Sequence, residues 1–446
     1  MACIQSFDET HYRSNRVRDP VHGFIHFSDI EKNVIGLKEF QRLRNIKQLA
    51  FTYYVYPGAM HSRFEHSLGV MELATQAVVH LLKNNSTLIE TSLERVGLSV
   101  KRAVDCLRLA ALLHDVGHLP FSHGAESVLP RGKKHEDVSI AVIHSLKGKI
   151  DQWYFDGATD LVVQLINKEP VVPELSFLTN ILSGQIDVDR MDYLLRDSLH
   201  CGVKYGNFDH ARLLETLLVI ESDTGGVGLA IDHGGMQALE ALILARYYMY
   251  TQVLYHRTRR IYDIYLQKYL EERKVTFDNL MAVIDLDDLD WTTEMRRVAK
   301  CREEPGHLWA KYIVNREHHS SVYETGVFAG AKDRRLSDRI YNKLKAEFPD
   351  HEFIIDSDAK GTIHKFVLPD EEEMGDFFNV RTKQGQYRLL TEVSKIIRDM
   401  PKGFHVFRIY AKNNSREEKN GIYPIVQKVK DEVYQRAVEL ERRGLV

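Results

Sequence analysis

The stretch from Leu112 to His123 constrains this chain most. An apolar helical run, Ala103 to Leu113, ends in the adjacent pair His114–Asp115, and His118 and His123 follow within ten residues. Gly117 and Pro120 break the helix just after that pair. Three imidazoles and a carboxylate so close together are costly to bury unless something pairs with them. Neutral imidazole and carboxylate together suit a first-row divalent metal. The helix must therefore deliver its end to a polar site, either a metal pocket or a solvated rim.

At 446 residues the chain exceeds one simple core and predicts two to three domains. A hydrophobic fraction of 44% and a charged fraction of 28% are those of a globular protein. Sixty basic against 63 acidic residues, a net charge of -3, argue against a nucleic-acid coat or a membrane-surface protein. Four scattered cysteines without CxxC spacing read as reduced thiols, and a cytoplasmic location is expected. No signal-peptide pattern and no apolar run near the roughly 20 residues of a membrane span are present.

Residues 1–15 read as a polar arm and Arg16–Ile30 as a hairpin turning at Pro20 and Gly23. Helical patterning then runs over 37–48, 66–83, 94–113, 136–149, 159–167, 176–182, 187–199, 208–217 and 235–272, interrupted by a small hairpin at 222–232. After about residue 275 the character changes. His351–Leu368 reads as strand, polar turn, strand; Asp370–Asp376 is an acidic loop; Phe404–Ala411 is a strand. A last helix carries Val426, Val429, Val433, Ala437 and Leu440 on one face.

Four further stretches bear on chemistry. In His61–Gly69, Arg63 and His66 share a helix face, setting a cation beside an imidazole as a phosphate substrate requires. His135–Glu136 follow a basic loop, Arg131–Lys134. In Ile186–Asp197, Asp189, Tyr193 and Asp197 form one face at i, i+4 and i+8, with Val188, Met191, Leu195 and Leu199 expected to face the core. Arg246, Tyr250 and Arg257 would share a face of the 235–272 helix, two cations for phosphates and an aromatic ring for a sugar or base.

HSRFEHSLG, LLHDVGHLPFSH and IDVDRMDY, in this order and spacing, resemble the HD-domain phosphohydrolases, closest to the deoxynucleoside triphosphate triphosphohydrolases. DPVHGFI, FQRLRNIKQL and YYVYPGAMHSRFEHS extend the likeness, which is strong over 17–210 and thinner to about 265. The patterning predicts a mainly α fold, a helical core over 1–275 that the resemblance identifies as an HD domain and a smaller α+β C-terminal region over 276–446, for which an oligomerisation or regulatory role is expected. It implies metal ligands His66, His114, Asp115 and Asp189, with Mn, Mg, Fe, Ni or Co compatible and Zn admissible. His123 matches the general acid, with Glu126 as its partner where Asp is usual. His118 and His135 match histidines near the α-phosphate, with Glu136 alongside. Arg63, Arg190 and Arg246 match phosphate contacts, Tyr193 the sugar-packing ring, Asp197 the ribose 3′-hydroxyl contact, and Gln48 and Leu49 the sugar lining.

Two departures stand out. Tyr250 replaces a His beneath the base, and Leu254 replaces a Tyr one turn on. The resemblance also implies a homo-oligomer, tetramer or hexamer, with an activator nucleotide at subunit contacts. Gly36 stands where activated members read guanine with Asp, and Arg18 where they carry Asn, while Arg44 is retained. The leading expectation is hydrolysis of a dNTP to deoxynucleoside and tripolyphosphate. The rivals are a phosphomonoesterase or phosphodiesterase acting on another nucleotide, and a nucleotide-sensing or nucleic-acid-binding protein using the cluster His256, Arg257, Arg259 and Arg260.

Overall fold

The computed structural model of the protein describes residues 9–167, 172–221, 226–367, 377–412 and 416–442, without the side chains of Glu9, 416–420 and 436–442. The expected acidic loop Asp370–Asp376, residues 222–225 and the side chains of Ala437 and Leu440 lie outside the described residues.

The chain forms two compact units, and they are not consecutive. The first joins residues 1–249, 276–291 and 364–400; the second joins 250–275, 292–363 and 401–446. The division expected at 275/276 is thus replaced by one in which the chain returns twice to the first unit. Specific bonds draw it back. Arg42 donates to Leu286 O at 2.5 Å, and the buried Asp288 carboxylate accepts the backbone N–H of Phe121 (2.8 Å) and Lys47 (3.0 Å). Strand Asn379–Arg381 pairs parallel with Val227–Asp232, and Arg381 donates to Asp232 (2.9 Å).

In the first unit, β1 (Asn15–Asp19) and β2 (Gly23–Phe27) form an antiparallel hairpin. Asp19 Oδ1 closes its turn by accepting the N–H of Val21 (2.8 Å) and His22 (2.9 Å), and Gly23 supplies the left-handed residue at φ +77°. Helix α1 (Asp29–Ile35) starts at a Ser28/Glu31 capping box. Helix α2 (Arg63–Arg95) starts at a Ser62/Glu65 box and kinks at Asn85, whose side chain accepts the Val219 N–H at 3.1 Å. Helix α3 (Val100–Leu113) starts at Ser99 and is buried from Ala103 to its end, packed on α2. Its fully buried leucines stabilise the unit by about 1.5–3 kcal/mol each. Helices α4 (His135–Ser145) and α5 (Val188–Cys201) complete the frame of the site.

The second unit is a three-stranded antiparallel sheet with Gly403–Ala411 between Ser320–Glu324 and Phe353–Thr362. Helices Ala331–Glu347 and Arg416–Arg442 cover it, packing Leu336, Ile340, Leu344, Val426 and Val429. The fold is therefore mainly α with an α+β part.

Three expected elements differ. Residues 37–48 form only a short helix, Lys38–Gln41, and a 3-10 turn, Arg42–Asn45. The expected strand–turn–strand at 351–368 is one strand, Phe353–Thr362, with a bulge between Asp356 and Ala359. Its polar centre stays in the sheet because Arg260 pairs with the buried Asp356 at 2.9 Å. The expected helix 235–272 is Met236–Met249, a π turn at Tyr250–Leu254, and Arg257–Arg273. Of the three residues expected on one face, Arg246 belongs to the first unit, and Tyr250 and Arg257 belong to the second.

Candidate metal centre

Three helix termini of the first unit meet at one point. His66 lies in the first turn of α2, His114 and Asp115 follow α3, and Asp189 lies in the first turn of α5. His66 Nε2 stands 3.1 Å from Asp189 Oδ1 and 3.6 Å from Asp115 Oδ2; His114 Nε2 stands 3.4 Å from Asp115 Oδ1 and 3.9 Å from Asp189 Oδ1. Ligands bonded at about 2.0–2.2 Å to one cation lie roughly 3–3.5 Å apart, so these four donors fit a single divalent ion. The imidazoles are oriented for it. His114 Nδ1 donates to Ala111 O at 2.7 Å, which leaves Nε2 as the lone-pair nitrogen, buried and without a hydrogen-bond partner. His66 donates Nδ1–H to the buried Asp192 at 2.8 Å, which turns its Nε2 toward the other carboxylates.

Charge supports the same reading. Burial would depress the His66 pKa, but hydrogen bonds to Asp189 and Asp192 and the Asp115 charge push it up to about 10. Asp115 is desolvated by burial, yet His114, Arg63 and His118 hold its carboxyl well below the usual range. Arg63 donates to Asp115 at 2.5 Å and to Ser122 Oγ at 2.9 Å.

A second group of imidazoles adjoins Asp115. His118, itself buried, lies 3.3 Å from Asp115, and its ring stacks on that of His135 at 3.8 Å. Burial, Arg63 and His135 keep His118 far below the usual histidine range, hence neutral. Glu126 accepts from both His123 (2.9 Å) and His135 (2.6 Å), so the partner expected for His123 alone is shared. Burial raises the Glu126 pKa, but these two bonds outweigh it and hold the carboxyl far below its usual range. Glu136 lies 3.2 Å from His135. The His123 side chain is 61% exposed, which suits a group that must reach a substrate.

The loop between α3 and α4 is held by distant residues. A Cβ on Gly117 would lie 2.2 Å from Ser139 N and 2.5 Å from His135 O, so glycine here admits the start of α4. Phe121 and Ser122 take left-handed φ of 58° and 55°, a strain of about 1–2 kcal/mol each. Asp288, Arg42 (to His118 O, 2.6 Å) and Arg63 hold the loop in place. Arg42 lies in the FQRLRNIKQL stretch without a role marked for it there, and no local signal marks Asp288.

The remaining expected residues divide. Asp197 is buried and accepts from His61 at 2.7 Å, and Tyr193 lies between it and Asp189 on α5. Gln48 and Leu49 are buried, with Gln48 Oε1 lacking a hydrogen-bond partner. The Arg190 guanidinium binds Gly184 O and lies 3.2 Å from Asp187. Arg246 is buried in the first unit. Tyr250 lies in the second unit, its ring 5.8 Å from Tyr255 and 5.9 Å from Phe404.

Among the described residues no helix is long and apolar enough to cross a membrane. Residues 63–197 match the HD domain model, and 208–420 match the HD associated region. The chain is 36% identical over 336 residues to an uncharacterized protein of Methanocaldococcus jannaschii, spanning 74% of this chain and 66% of that one. It is 34% identical over 254 residues to the deoxynucleoside triphosphate triphosphohydrolase SAMHD1 of Homo sapiens, spanning 50% of this chain and 39% of that one. The chain thus covers between 39% and 66% of these two curated relatives. A crystal structure of a phosphohydrolase from Bacteroides thetaiotaomicron superposes with a TM-score of 0.68 at 25% identity, over 90% of this chain and 100% of that one. Both matched regions and these relatives agree, and the His/Asp cluster is consistent with them: the chain belongs to the HD-domain phosphohydrolase family.

Proposed function

We propose that the protein hydrolyses a deoxynucleoside triphosphate to deoxynucleoside and tripolyphosphate. The observation that carries this reading is the convergence of His66, His114, Asp115 and Asp189 beside Arg63 and a neutral His118. Likeness to SAMHD1, a dNTP triphosphohydrolase by name, supports the choice of substrate. The four ligands would hold Mn, Mg, Fe, Ni, Co or Zn, and such an ion supplies a nucleophilic water at neutral pH and draws charge from the α-phosphate.

The chain's own groups do the rest. Arg63 offers positive charge to the phosphates, and His118 and His135, stacked beside Asp115, are assigned to the surroundings of the α-phosphate. As the bond between the α-phosphorus and the 5′ oxygen breaks, His123, oriented by Glu126, gives the leaving oxygen its proton. Arg190 and Arg246 are assigned to the phosphates, Tyr193, Gln48 and Leu49 to the sugar, and Asp197 to the 3′-hydroxyl, where it shares its carboxylate with His61. A homo-oligomer, with an activator nucleotide at subunit contacts, is part of the same proposal.

The test is product analysis. The protein is incubated with Mn²⁺ and each dNTP, alone and mixed, and the products are resolved by phosphorus NMR. Tripolyphosphate and deoxynucleoside are expected; orthophosphate or a nucleoside monophosphate would assign the centre to another phosphohydrolase reaction. His123→Ala is expected to lower turnover by roughly 10²–10⁴-fold with metal content unchanged. Loss of metal in that variant would place His123 among the ligands.

A further inference from the structure

A buried chain of charge runs behind His66, away from the proposed substrate. Asp192 on α5 is fully buried. Its Oδ2 accepts from His66 Nδ1 (2.8 Å) and Arg196 Nε (2.8 Å); its Oδ1 accepts from His22 Nε2 (2.6 Å) and Arg196 Nη2 (2.9 Å). Arg196, equally buried, spends Nη1 on Asp19 at 2.7 Å. Asp19 closes the turn of the β1–β2 hairpin and His22 stands in that turn, so the turn presents both an acceptor and a donor to one ion pair. Space is reserved for it. A Cβ on Gly69, one turn beyond His66 in α2, would lie 1.9 Å from Asp192 Oδ1 and 2.4 Å from Arg196 Nη2. Glycine in a helix interior costs about 1 kcal/mol relative to alanine, and here the lost propensity makes room for the carboxylate.

We infer that Asp192 is a positioning residue of the metal centre: it fixes His66 with Nε2 aimed at Asp115 and Asp189, and the β1–β2 turn, through His22 and Asp19, fixes Asp192. The inference rests on the assignment of His66 as a ligand. A carboxylate behind a ligating imidazole sets its tautomer and raises its basicity, and loss of such a partner lowers metal affinity about 10–100-fold. Asp192 touches neither water nor substrate in this role, so its effect falls on the affinity for the ion.

The test measures Mn²⁺ binding to metal-free protein by equilibrium dialysis, with the folded fraction checked by circular dichroism. Asp192→Asn is expected to weaken binding about 10–100-fold and to alter the visible spectrum of the Co²⁺-loaded protein. His22→Gln leaves the Asp192–Arg196 pair and the bond to His66 in place, and is expected to weaken binding less while remaining folded. Unchanged affinity and spectrum in both folded variants, with lower melting temperatures only, would make the network structural and overturn the inference. His114→Ala separates the two layers. If it abolishes Mn²⁺ binding while Asp192→Asn does not weaken it, the centre stands and the positioning role falls; if His114→Ala keeps the metal, the centre itself is misassigned.

Discussion

The first unit contains two buried ion-pair networks that look alike until their far ends are compared. In one, Arg108 donates to Glu31 (2.6 and 3.0 Å), to His26 O (2.9 Å) and to Thr75, and stacks over Tyr12 at 4.2 Å. In the other, Arg196 binds Asp192 and Asp19. Both tie the stretch from Tyr12 to Glu31 to the helical core. Burial alone would lower the pKa of each arginine, and the carboxylates raise it in both. The first network ends in groups that are satisfied. The second ends on His66, whose Nε2 faces two carboxylates and an imidazole with an unpartnered nitrogen. Burial of charge does not mark function here; a surplus of unspent donor atoms does.

The strongest break of that comparison removes a ligand from the second network's end. His114→Ala or Asp189→Ala is expected to abolish bound metal and turnover together, because three donors at such spacing no longer hold an ion against water. Metal analysis of the purified variants, alongside the dNTP assay, checks it; a loaded and active His114→Ala protein would remove the centre. The matching cut in the first network is Glu31→Gln. It leaves the buried Arg108 without its counter-charge, a loss of about 3–5 kcal/mol. Urea unfolding should show that loss, while the folded fraction binds Mn²⁺ with unchanged affinity. A weakened metal site in Glu31→Gln would mean that the two networks are not separable.

The difference between the networks was only half legible in the sequence. His66, His114, Asp115 and Asp189 lie in short motifs whose spacing is local, and the structure brings all four together. Their support was not legible. His22 and Asp192 are 170 residues apart, and Asp19 and Arg196 are 177 apart. Periodicity also misjudged α5, because it assumes that charge faces out: Leu199, expected in the core, is 51% exposed, whereas Asp192 and Arg196 are fully buried. Mutual neutralisation overrides hydropathy there, as Arg260 does for Asp356 in the strand misread as a turn. The mainly α fold followed from helical periodicity. The π turn at Tyr250–Leu254 did not, since no glycine or proline announces it, and the returns of 276–291 and 364–400 carry no linker-like composition.

The smallest predicted effect sharpens the meaning of the Glu31 result. Glu31 does two jobs: it pairs with Arg108, and its Oε2 accepts the Ser28 N–H at 2.7 Å to close the capping box of α1. Glu31→Gln keeps a side-chain oxygen for the cap but removes the charge. Ser28→Ala does the reverse, deleting the hydroxyl that accepts the Glu31 N–H at 3.2 Å while the Arg108–Glu31 pair remains. The expected cost of Ser28→Ala is about 1 kcal/mol by urea unfolding, with no change in Mn²⁺ affinity. If Ser28→Ala instead costs as much as Glu31→Gln, the stability of this region lies in starting α1 rather than in the buried ion pair. The first network would then be a helix cap with an arginine attached, and its likeness to the Asp192 network would be one of geometry alone.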